Sequence, residues 1–140
     1  MSKEAEFSWL FSKVVDIRSA SVLETSSHLL SALKNSAENG KIKVFSSGSH
    51  SFFAYLAWAE VNKESLVLMG KTKQMPPFLY EWNEGRLMVI YDVVFLPKWG
   101  VLAKREILQF LRQVRVVAFL KRGNLHIWSR RRRGYSRKIL

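Results

Sequence analysis

Hydrophobic and polar positions divide most of the chain into short elements. Phe7, Trp9, Leu10, Phe11, Val14, Val15 and Ile17 include helical spacings and predict a helix over Phe7–Ile17, although the β-branched pair Val14-Val15 works against it. A second helix is predicted over Val22–Glu38, where Leu23, Leu29, Leu30 and Leu33 share one broad face and Asn39-Gly40 supplies the stop. A strand over Lys41–Phe45, the turn SSGSHS with a solvated His50, and the apolar run FFAYLAWAEV over Phe52–Val61 predict a hairpin. Lys63–Met69 reads as a short helix ending at Gly70, and KTKQMPP as a loop, because its two prolines have no backbone donor.

Trp82-Asn-Glu-Gly85 turns the chain into another strand. After PKWG, the residues Val101, Leu102, Ile107, Leu108, Phe110, Leu111 and Val114 carry a helical period. Strands at about Arg115–Leu120 and Asn124–Trp128 flank a turn at Arg122-Gly123-Asn124. The order α, α, β, β, α, β, α, β, β predicts an α+β (mixed α/β) fold with a central, mostly antiparallel sheet and flanking helices. Residues 1–129 read as one domain and 130–140 as a basic C-terminal tail.

One position breaks the pattern. In LMVIYDVVF, the residues Leu87, Val89, Tyr91, Val93 and Phe95 line one face of a strand, and Met88, Ile90, Asp92 and Val94 the other. Both faces are apolar except at Asp92, which predicts a central strand buried on both sides. Aspartate is disfavoured in strands, and an ionised carboxylate removed from water costs several kcal/mol unless partners offset it. Asp92 is either a structural acid held by a buried arginine, a backbone turn or water, or a general base or the partner that orients one.

The charge distribution adds a second asymmetry. Residues 1–97 carry 10 Lys/Arg and 10 Asp/Glu, whereas 98–140 carry 13 Lys/Arg and the single acid Glu106, so the whole net charge of +12 falls in the last third. Such a segment suits an acidic partner: nucleic acid, an anionic surface or an acidic protein. The tail WSRRRRGYSRKIL interleaves arginines with Trp128 and Tyr135, a composition compatible with nucleic-acid binding, although no RRM, zinc-finger or helix-turn-helix signature accompanies it.

Several chemistries find no support. With no cysteine there is no disulfide framework and no thiolate chemistry, which suits a reducing cytoplasm. His28, His50 and His126 lack metal-ligand spacing, and GxSxG, GxGxxG and Walker motifs are missing, so no metal or bound cofactor is expected. The 140-residue chain has no apolar run of about 18 residues, and its N-terminus MSKEAEFSW is charged where a secretion signal is apolar. The expectation is a cytoplasmic protein with no transmembrane segment.

The elements around Asp92 also stand in a particular order. Trp9-Leu10 precedes a helix; a strand then ends in Ala54-Tyr55-Leu56-Ala57-Trp58-Ala59; Trp82-Asn-Glu-Gly85 is followed seven residues later by Asp92, and then by Pro97 in a loop. Over most of residues 7–115 this order resembles the toxin-activating lysine acyltransferases of the haemolysin-C type. The resemblance implies a GNAT-like acyltransferase fold, transfer of a fatty acyl group from acyl carrier protein to an internal lysine of an RTX-type protoxin, and a homodimer. It also implies a catalytic histidine and aspartate. Asp92 matches the aspartate. The histidine's position is Ile17, followed by Arg18, and Arg18 and Trp58 are placed to shape the site.

The departure at Ile17 matters chemically. An unperturbed lysine is neutral in only about 0.04% of molecules at pH 7, so forming an amide needs a proton acceptor, and isoleucine is not one. Asp92 acting alone as base, a catalytically impaired relative that only binds its partners, and a basic nucleic-acid-binding module are the three readings that follow.

Overall fold

The computed structural model describes residues 2–48, 51–131 and 134–139, and for 130–139 the backbone alone. His50, expected in the hairpin turn, lies outside the described residues, as do Arg132, Arg133 and Leu140 of the tail. The chain is a mixed α and β structure, with a mostly antiparallel sheet whose strands lie side by side in chain order, and with flanking helices. Its contacts define two compact units, residues 1–57 with 92–108 and residues 58–91 with 109–140.

The first unit begins with helix α1, Lys3–Ala20, which starts four residues before the expected boundary at Phe7. Ser2 explains the earlier start: its side chain accepts the Ala5 N–H at 3.1 Å, and Glu4 and Glu6 lie in the positively polarised first turn. Val14, Ile17 and Arg18 form the buried side of α1, while Trp9 and Val15 are partly exposed. The second helix, α2, covers Ser27–Glu38, capped by Ser26, which accepts the Leu29 N–H at 3.1 Å. Residues 22–26, expected to be helical, form a loop instead. Val22 there adopts φ 53°, a left-handed conformation that is costly for a β-branched residue. Gly40 at φ 69° provides the expected stop after α2.

Strand β1, Ile42–Ser46, pairs antiparallel with β2, Phe52–Val61, confirming the hairpin, with a register irregularity between Phe45 and Ser46. From Phe53 to Leu56 every β2 side chain is fully buried, as the apolar run on both faces requires. Strand β3, Leu87–Phe95, departs from its expectation in part. Met88, Val89 and Ile90 are buried on both faces, but Tyr91 and Asp92 are half-buried and Val93 is exposed. The carboxylate therefore sits where the strand leaves the two-sided core. Beyond it, Leu96 N–H donates to Phe53 O at 2.9 Å, and Trp99 stacks on Phe53 at 5.3 Å before α4, Gly100–Leu111.

In the second unit, α3 covers Lys63–Thr72, capped by Asn62, whose side chain accepts the Ser65 N–H at 2.8 Å. Residues 79–83 then form a short 3-10 helix in which the Trp82 indole N–H donates to Pro76 O at 2.9 Å. Gly85 follows at a close backbone approach: its N–H donates to Glu60 O at 3.1 Å. Strands β3 and β4, Val116–Lys121, run parallel, and α4 supplies the crossover that a parallel pair needs. Strand β5, Asn124–Arg131, returns antiparallel through Arg122 and Gly123, at φ 53° and 76° as a tight hairpin turn demands. Residues 134–139, read from sequence as part of the basic tail, form β6 and pair antiparallel with β5. Among the described residues no helix is long and apolar enough to cross a membrane.

Candidate functional site

Three residues far apart in sequence meet in the first unit. Asp92 comes from the second half of β3, Tyr55 from the buried centre of β2, and Arg18 from the buried side of α1. The Tyr55 hydroxyl donates to Asp92 Oδ2 at 2.5 Å, and Arg18 Nη1 donates both to that oxygen at 3.1 Å and to the Tyr55 hydroxyl at 3.0 Å. Arg18 is further fixed by donating from Nε to Thr25 Oγ1 at 2.7 Å and from Nη2 to Glu24 O at 2.8 Å. One guanidinium thus ties α1, the loop before α2, β2 and β3 to a single point. Such a fork is what arginine offers and lysine does not.

The electrostatics follow from burial. The side chains of Arg18 and Asp92 are only 8% and 15% exposed. Burial pushes the Asp92 carboxyl above the ordinary carboxylate range, and the opposing hydrogen bond from Tyr55 and the charge and hydrogen bond of Arg18 do not fully cancel it. Burial also drives the Tyr55 phenol far upward, helped by the adjacent carboxylate, so Tyr55 stays protonated and donates. For Arg18, burial acts against the charge, but the interactions with Tyr55 and Asp92 outweigh it and the guanidinium remains cationic.

The two oxygens of Asp92 differ. Oδ2 receives both donors, whereas Oδ1 has no hydrogen-bond partner among the described residues. A partly accessible carboxyl with a raised pKa and one uncommitted oxygen can accept a proton, which is the chemistry required of a general base.

The other sequence candidates are distributed differently. Ile17 is 2% exposed and packs in the core beside a groove of about 240 Å³ lined also by Lys13, Asp16, Ala20, Phe52 and Leu96. The α1 residue that reaches Asp92 is its neighbour, Arg18. Trp58 belongs to the second unit, where its indole N–H donates to Glu60 at 3.3 Å and its ring lies 5.8 Å from Phe110. His28 is exposed in the first turn of α2, and His126 is buried against Phe119 with ring centroids 5.1 Å apart.

Tyr55 is the member that sequence reasoning did not single out. It lies inside an uninterrupted apolar run, where a tyrosine reads as core, and its partners are 37 residues away on either side. Among the described residues no group of three or more His, Asp or Glu is arranged to hold a metal ion. The chain matches no protein-family model, no curated protein and no solved structure.

Proposed function

We propose that the chain is a protein-lysine acyltransferase that uses Asp92 as its general base. The observation that carries this reading is the Asp92 carboxyl itself, partly buried, raised in pKa, held at Oδ2 and uncommitted at Oδ1. In the reaction, Oδ1 takes a proton from the ε-ammonium of an acceptor lysine. The neutral amine attacks the thioester carbonyl of a carrier-bound acyl group; the amide bond forms as the carbon–sulfur bond breaks, a second proton passes from the attacking nitrogen to the departing carrier thiolate, and the proton held on Asp92 is released to water. A positioned base contributes about 10²–10⁴-fold to such a step. The +12 charge of residues 98–140 complements an acidic acyl carrier protein as donor. The order of residues shared with toxin-activating acyltransferases supports an RTX-type protoxin as acceptor and a GNAT-like fold.

Burial of Ile17 favours a second reading. With isoleucine at the position where the resemblance calls for a histidine, a protein of this kind binds carrier or acceptor without turnover. Co-production with an acyl carrier protein and a glycine- and aspartate-rich repeat toxin, followed by intact-mass analysis, separates the two. A lysine-linked acyl mass on the toxin is the expected result. An unmodified toxin in a complex that still forms selects the binding-only reading.

A further inference from the structure

The geometry points to Tyr55, together with Arg18, as the positioning residue that makes Asp92 a one-sided base: both donors occupy Oδ2, so the proton can be accepted only at Oδ1. The role rests on the acyl-transfer reading; the asymmetry beneath it does not. Free carboxylates rotate and offer four acceptor directions between two oxygens. Here the fully buried Tyr55 ring cannot move without disturbing β2, and its hydroxyl also accepts from Arg18 Nη1, which closes a triangle with Asp92 Oδ2. Arg18 is in turn anchored at Thr25 and Glu24, so the donor pair is rigid before any substrate arrives. The charged and titratable groups facing Asp92 among the described residues are Arg18 from α1 and Tyr55 from β2. Both favour the ionised carboxylate, so removing the Tyr55 hydroxyl leaves the carboxylate less stabilised, held at Oδ2 by Arg18 alone among the described residues.

The chain has only two aspartates, Asp16 and Asp92, so aspartate labelled with ¹³C at the side-chain carboxyl gives two resonances, assigned through Asp16→Asn. In a pH titration of the protein alone, the Asp92 midpoint is expected to move upward in Tyr55→Phe relative to the wild type. A midpoint that stays or falls overturns the proposal. If Tyr55→Phe does not fold, infrared spectra of the same labelled aspartates in the wild type carry the test. Two donors on one oxygen widen the separation of the asymmetric and symmetric carboxylate stretches of Asp92 relative to Asp16, and equal separations overturn the proposal. In acyl transfer, Tyr55→Phe is expected to lower kcat by about 10²-fold with the acceptor KM unchanged, the signature of lost positioning. Absence of transfer by the wild type removes the positioning role along with the acyl-transfer reading. An unmoved midpoint in an active enzyme removes the role of Tyr55 alone.

Discussion

Replacing Gly85 by alanine places a methyl group where the main chain leaves no room for it. A Cβ on Gly85 falls 2.0 Å from both the carbonyl carbon and the carbonyl oxygen of Val61, and 2.2 Å from the Asn62 nitrogen. Nonbonded carbon contacts are favourable at about 3.5–4.0 Å, so the two segments have to part by roughly 1.5 Å. No rotamer change relieves the clash, because all three atoms are backbone. Parting them stretches the bond from Gly85 N–H to Glu60 O and disturbs Val61, which is fully buried, and Asn62, which caps α3. Loss of a hydrogen bond, of a cap and of good packing together amounts to about 3–6 kcal/mol. Urea unfolding followed by tryptophan fluorescence measures it, with the buried Trp82, edge-on to Tyr91 at 4.8 Å, as a local reporter. The exposed Glu84→Ala next door should stay within about 0.5 kcal/mol of wild type. A Gly85→Ala protein within 1 kcal/mol of wild type, by the same assay, would refute the close approach.

Two further outcomes concern the site. Ile17→His exchanges a buried hydrocarbon for an imidazole in the core, so stability should fall by about 2–5 kcal/mol with no gain in transfer; a stable variant with faster transfer would show that position 17 still reaches the reaction. The raised Asp92 pKa means the folded state holds this proton more tightly than the unfolded state. Between the unfolded carboxylate value of about 3.9 and the higher folded value, wild-type stability should therefore fall relative to Asp92→Asn as pH rises, by about 1.4 kcal/mol per pH unit, and the difference should be constant above and below that window. Urea midpoints of both proteins from pH 3 to 8 check the sign, and a difference that moves the other way would mean that Arg18 and Tyr55 outweigh burial.

What could be read from sequence was mainly what local chemistry determines. The apolar runs at Phe52–Val61 and Leu87–Phe95 gave β2 and β3, and Gly40 and Gly123 marked the ends of elements because the chain turns there at positive φ. Asp92 was conspicuous as the one charge in its strand. Arg18 carried a weaker signal of the same kind: four residues after Val14, it places a charge on the inward side of α1. Tyr55 carried none, because its role depends on pairing over 37 residues in each direction. The loop over 22–26 was missed because Val22 and Leu23 extend a helical apolar pattern, whereas the chain is held there by Arg18 through Glu24 and Thr25. Strand β6 was missed because the basic C-terminal segment reads as solvated, while backbone pairing requires only N–H and C=O groups in register.

In the proposed reaction the Asp92 carboxylate accepts the proton during acyl transfer. Asp92→Asn keeps the size and polarity of the side chain and removes its basicity, so the most direct measurement is the rate of lysine-linked acyl mass gain for wild type and Asp92→Asn. Both would be assayed with the same acyl-loaded carrier and acceptor, at a urea-free pH where both are folded by circular dichroism. A fall of about 10²–10⁴-fold in the folded variant is the predicted result. Equal rates in the two folded proteins would contradict it and leave Asp92 as a structural partner of Arg18 and Tyr55.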